Sequence, residues 1–214
     1  MSYDRDLIVH KLLRWENYLN NYKLPAWKEL PDIGLYMDQV IALLGQYLDF
    51  IPVEDQRNKP ITPTTINNYV RLKVMPAPEK RKYYRIHIAY LIMIFILKQG
   101  TSIHGIQQIL PAGEDEAEVK KFYMLFIQRL QDIARFYTTQ TRAAAQGLLE
   151  QPQETDEGAV EHFVIQSILM SGFSRILGDK LLRLHDAETQ HILELEARSD
   201  AGERRWEDAV EQEA

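Results

Sequence analysis

Thirteen residues, Ile86–Lys98, read IHIAYLIMIFILK and are apolar apart from His87 and the closing lysine. A run of this kind cannot sit on a protein surface, yet it falls short of the ~20 residues needed to cross a bilayer. It is therefore a buried helix or strand. With 214 residues, 45% of them hydrophobic, the chain has enough material for a packed core around it. The opening MSYDRDLIVH carries charges at once and lacks the pattern of a secretion signal, so the expectation is a cytoplasmic protein without a membrane segment. There is no cysteine, which excludes disulfides, thiolate metal sites, redox switches and thiol nucleophiles.

Charge is unevenly distributed. Between Arg57 and Lys98 nine cations face a single acid, Glu79, a local +8 inside a chain of net −6. Such a focus raises the local concentration of anions, while the acidic remainder limits indiscriminate sticking.

Helical periodicity covers most of the chain. Leu7, Ile8, Leu12, Trp15, Tyr18 and Leu19 predict a helix over 4–22, ended by Pro25 and Pro31. A second helix runs from Leu35 towards Phe50. Thr62 is a good N-cap and Pro63 suits a first helical turn, so a third helix begins there. Its apolar stripe is Ile66, Tyr69 and Val70, which leaves Thr64, Thr65, Asn67, Asn68 and Arg71 on the outer face. Pro76 and Pro78 forbid helix, and EKRKYY then sets three cations beside two tyrosines, consistent with a tight hairpin. An apolar helix over 85–99 ends at Gly100, and a short one closes at Pro111. Beyond it lie a long amphipathic helix over 114–145, with Phe122, Phe126, Leu130, Ile133 and Tyr137 on one stripe, a polar linker, and a last helix from 159 towards 197. The final residues are acidic.

Catalytic and metal signatures are missing. The six histidines are scattered, and no Gly-rich phosphate loop or nucleophile motif occurs. One Glu-x-x-His pair, Glu188 and His191, stands alone where a di-iron bundle uses two, and reads as an exposed helical face. The chain is read as a non-enzyme without a cofactor.

The stretches LYMDQVIALLGQYL, ITPTTINNYVRLKVMPAP, RKYYRIHIAYLIMIFILKQG and TSIHGIQQIL resemble, in sequence and order, the MerR-like winged helix-turn-helix domain over roughly Leu35–Leu110. Thr62, Pro63, Thr65, Ile66 and Tyr69 match its recognition-helix pattern, and Lys82, Tyr83, His87 and Ile88 match its wing and following helix. The whole chain resembles a bacterial family that carries this domain with a helical C-terminal extension. Three departures accompany the match: a long 50–61 connection, neutral Thr64 and Asn67 where arginines are expected, and Tyr84 in place of a serine cap.

The resemblance implies an all-α fold with a small β-wing, namely an N-terminal helix and connector (1–34), a winged helix-turn-helix domain (35–111), a helical dimerisation or regulatory region (112–199) and an acidic tail (200–214). It implies a homodimeric transcriptional regulator that binds double-stranded DNA sequence-specifically. Thr64, Thr65, Asn67, Asn68 and Arg71 would read the groove, and Lys73, Lys80, Arg81, Lys82 and Tyr83 would hold the backbone. The alternative is a protein-interaction adaptor that keeps the winged-helix fold and binds no DNA.

Overall fold

The computed structural model describes residues 4–51, 61–113, 115–150 and 158–185. Its elements are α1 (Arg5–Asn21), a 3-10 turn (Trp27–Glu29), α2 (Met37–Tyr47), α3 (Pro63–Arg71), α4 (Arg85–Leu97), α5 (Ile103–Ile109), α6 (Glu116–Ala144), α7 (Gln146–Glu150) and α8 (Ala159–His185). The chain divides into two units, Met1–Gly172 and Phe173–Ala214. All the packing described below lies in the first. In the second, the described residues are the C-terminal half of α8.

The apolar run forms α4, and every residue from His87 to Phe95 is buried. Its neighbours are α2 and α6, and α6 also packs along α1 and the 3-10 turn. Local chemistry sets the helix starts. Asp4 accepts from the Leu7 N–H, Ser102 from Gly105 and Asp115 from Ala117, each satisfying a donor that the first turn leaves orphaned. The first turn of α6 adds Glu116 and Glu118, which suit the positive end of the helix dipole.

Long-range polar contacts tie the layers together. The Tyr123 hydroxyl donates to the Pro25 carbonyl at 2.8 Å, and its ring meets Trp27 edge-on. Tyr90 donates to the carbonyls of Pro111 and Gly113, both at 2.9 Å, fixing the start of the α5–α6 connection. Arg142 Nη1 sits 3.0 Å from both carboxylate oxygens of Glu16, joining α6 to α1.

Two expectations need correction. No β-wing forms, because the described residues contain no strand, and pairing is reduced to isolated antiparallel bridges at Leu35–Tyr83 and Glu79–Lys82. The winged helix-turn-helix architecture is thereby set aside in favour of an all-helical one. Pro76 and Pro78 remove N–H donors from one arm, and the other arm is drawn into α4 at Arg85 before a ladder can grow. The stripe expected on α6 is also displaced. Val119, Tyr123, Ile127 and Thr138 line the buried face and Phe122, Phe126 and Leu130 of the expected stripe pack half-buried beside it, whereas Ile133 and Tyr137 are 62% and 46% exposed. The long 50–61 connection, the polar linker, the acidic tail, the extension of α8 towards 197 and the Glu188/His191 pair lie largely or wholly outside the described residues. No described helix is long and apolar enough to cross a membrane.

Candidate nucleic-acid interface

The basic segment follows directly from how α3 begins and ends. Thr62 Oγ1 accepts from the Thr65 N–H at 3.1 Å and lies 2.8 Å from Thr65 Oγ1, so Thr65 belongs to the cap. Ile66 and Tyr69 are buried, with Tyr69 set edge-on against Phe95 of α4. This leaves Thr64, Asn67 and Arg71 exposed. Asn68 is half-buried, and its Oδ1 accepts from Arg71 Nη2 at 2.8 Å, holding the guanidinium against the helix.

At its C-terminus α3 closes with paired reverse bonds, Lys73 N–H to the Val70 carbonyl at 3.0 Å and Val74 N–H to the Tyr69 carbonyl at 3.1 Å. This closure needs a left-handed residue, normally glycine. Here it is Lys73, at φ 56°. Val74 and Met75 then plunge into the core, and the Ala77 carbonyl is met by His87 Nε2 at 3.0 Å. Because His87 Nδ1 accepts from the Tyr84 N–H at 3.0 Å, its Nε2 carries the proton and donates to Ala77. The same histidine therefore supplies the cap that Tyr84 itself does not.

Between these anchors Glu79 and Lys82 exchange backbone bonds of 3.1 and 2.8 Å around a two-residue tip, Lys80 and Arg81. Both tip residues have positive φ, 46° and 65°, the geometry of a type I′ turn that favours Asn-Gly. Lys73, Lys80 and Arg81 are the non-glycine residues with positive φ among the described residues, and all three are exposed cations. None of them makes an ion pair with another described residue.

The tip rests on the strap that leads into α2. Leu35 and Tyr83 exchange two backbone hydrogen bonds of 2.8 Å, and Lys82 Nζ lies 5.5 Å from the centre of the exposed Tyr36 ring. Gly34 passes so close beneath that a Cβ there would lie 2.9 Å from Lys82 Cδ and 3.0 Å from Tyr84 Cζ. Tyr83 faces inward, 2% exposed and edge-on to His87, and burial raises its hydroxyl pKa.

Of the ten residues expected at the interface, Thr64, Asn67, Arg71, Lys73, Lys80 and Arg81 are thus presented to solvent. Thr65 is occupied by the cap, Asn68 by Arg71, Lys82 by Tyr36 and Tyr83 by the core. Residues 25–126 match the family model Domain of unknown function (DUF1836). No curated protein and no solved structure matches the chain. The DUF1836 region takes in the whole basic segment together with the strap, α4, α5 and the start of α6, and leaves α1 and α8 outside. It also contains three residues that sequence reasoning did not place at the site, namely Gly34, Tyr36 and the double-bonded His87. The one signal in the sequence was the glycine of PDIGLY, immediately before the second expected helix and so not a helix C-cap. No group of three or more metal-ligating side chains occurs among the described residues.

Proposed function

We propose that the segment from Thr62 to Lys82 binds double-stranded DNA and that the protein is a sequence-specific transcriptional regulator, acting in the cytoplasm as a binding protein rather than an enzyme. One observation carries the proposal, the placement of Lys73, Lys80 and Arg81 at left-handed backbone positions. Such a position costs a non-glycine residue roughly 1–2 kcal/mol. Asparagine or glycine would relieve that strain, yet each position holds a cation on an anchored backbone. Strain retained at exposed cations is a sign of a ligand-facing role.

A rigid array of cations suits phosphates, and the neighbouring α3 face offers the side chains that read base edges. Asn67 can pair bidentately with adenine and Arg71 with guanine in a major groove. Lys73 at the end of α3, with Lys80 and Arg81 at the tip, would contact phosphates and hold the helix in register without reading sequence.

Titrating labelled genomic fragments with the protein over a series of salt concentrations tests this. If both halves of a dimer engage, log affinity should fall with log salt at a slope of about −5 to −9. A slope near zero would remove DNA from the account. Binding of an acidic polypeptide in preference to DNA under the same conditions would favour the adaptor instead.

A further inference from the structure

Where α6 packs along α1, Thr138 is buried between them, and short side chains beside it leave a trough of about 690 Å³ with α7 at one end. That volume is in the range of small-molecule sites. Its lining is polar. Glu16 and Asn20 of α1 stand one turn apart, and Arg135 and Arg142 of α6 stand two turns apart, about 10.5 Å along the axis, with Thr138 and Thr139 between them. Every lining residue lies outside 25–126, in the part of the chain that the family match leaves out.

The hydrogen bonds around the trough leave particular groups to spare. Arg142 meets both oxygens of Glu16 through Nη1 alone, and Arg135 meets Asp132 through Nη2 alone, at 2.6 Å. The other guanidinium N–H groups of both arginines have no partner among the described residues. The hydroxyls of Thr138 and Thr139 donate to the same acceptor, the Arg135 carbonyl, at 2.9 and 3.0 Å. A hydroxyl has one proton to give, so what each threonine still offers is a lone pair.

We infer that the trough binds a small polyhydroxylated monocarboxylate, a sugar acid, with its carboxylate on Arg135 and its hydroxyls among Glu16, Asn20, Arg142 and the two threonines. A guanidinium edge takes a carboxylate in a bidentate fit. Hydroxyls both donate and accept, so they alone satisfy the spare N–H groups and the carboxylate and threonine oxygens together. Charge sets the number of acids. Two guanidiniums and one carboxylate line the trough, a surplus of one positive charge. Asp132, which holds Arg135, removes the surplus that a dianion such as a phosphate monoester would need. The binding does not depend on the proposed contact with DNA.

Isothermal titration of the full chain with glucuronate, galacturonate and gluconate tests this, with glucose, acetate and glucose 6-phosphate alongside. At least one of the three acids should bind once per chain with Kd below about 1 mM, roughly tenfold or more tighter than glucose or acetate. Arg135→Ala should weaken that acid roughly tenfold, and Thr139→Val should weaken it to a smaller degree. Arg129→Ala, elsewhere on α6, should leave it unchanged. All three positions are exposed, so circular dichroism melts of the variants should match the wild type. Failure of all three acids to bind overturns the inference. So does acetate or glucose binding as tightly as the best acid, since the carboxylate or the hydroxyls alone would then suffice. Tighter binding of glucose 6-phosphate overturns the single charge, and binding indifferent to both Arg135→Ala and Thr139→Val overturns the place.

Discussion

Side chains at neighbouring positions of the basic segment do different work. Asn67 and Asn68 are adjacent and chemically identical, but Asn68 accepts from Arg71 at 2.8 Å while Asn67 points into solvent with no hydrogen-bonding partner among the described residues. Asn67→Ala should therefore melt like the wild type, within about 0.5 kcal/mol, and lose about 1–3 kcal/mol of discrimination between selected and random DNA. Asn68→Ala should act indirectly, freeing Arg71 and blurring the preference read by that arginine rather than abolishing one read by Asn68. Parallel melting and competition binding on the two variants separate these outcomes. The strained cations make an opposite-signed prediction. Lys80→Asn with Arg81→Gly installs the favoured type I′ pair, so the protein should gain about 1–2 kcal/mol and melt roughly 2–8 °C higher. DNA affinity should nevertheless fall, and the salt slope should flatten by about 0.9 for each phosphate contact removed. A variant both more stable and equally tight on DNA would show that the tip cations do not touch phosphate.

At the level of elements, the helices were legible where local chemistry defines them. Thr62-Pro63 announces α3 because a cap and a missing N–H are both local facts, and the burial of α4 was readable from the apolar run, which by itself left helix and strand open. The expected 114–145 helix appears as Glu116–Ala144 for the same reason, since capping and period need no partner. The wing failed because strand pairing is a long-range property. Nothing in EKRKYY says that Tyr83 will pair with Leu35, nearly fifty residues earlier, instead of extending a ladder. Choosing which apolar stripe of α6 turns inward needed the same missing knowledge, because it depends on where α1 and α4 lie. Within the site, the exposed face of α3 could be read from its period, whereas the burial of Tyr83 and the role of Gly34 could not. Gly34→Val tests the strap directly. Its side chain would collide with Lys82 and Tyr84, so the Leu35–Tyr83 pair should loosen at a cost of about 1–3 kcal/mol. On the proposed reading, DNA affinity should drop although no residue of the exposed α3 face has changed. Unaltered affinity would mean that the strap does not position the tip.

Across the first unit, three tyrosine hydroxyls join segments that are distant in sequence. Tyr18 of α1 donates to Asp49, Tyr22 to the Tyr47 carbonyl, and Tyr123 of α6 to the Pro25 carbonyl. Tyr18, Tyr22 and Phe50 also form a continuous run of ring contacts, so the end of α1 is clamped to the residues that follow α2. Burial is the leading cause that raises the pKa of all three hydroxyls. The Asp49 carboxylate reinforces it at Tyr18, neighbouring phenols and Asp49 at Tyr22, and Tyr47 with Glu29 at Tyr123. In the unfolded chain each phenol titrates near its ordinary value of about 10. Below that pH both states keep the proton, and these groups give stability no pH dependence. Above it the unfolded chain releases protons that the folded chain retains, so each further rise in pH favours unfolding until the raised native values are passed. Urea melts at pH 8, 10 and 11 should therefore show stability that is level at first and then falls, with a slope steeper than one proton can account for. Tyr22→Phe combined with Tyr123→Phe should start less stable at pH 8, having lost two hydrogen bonds, and the gap to wild type should close as pH rises because the variant no longer has those protons to retain. A gap that stays constant from pH 8 to 11 would show that these hydroxyls titrate alike in both states and that the clamp is open to solvent.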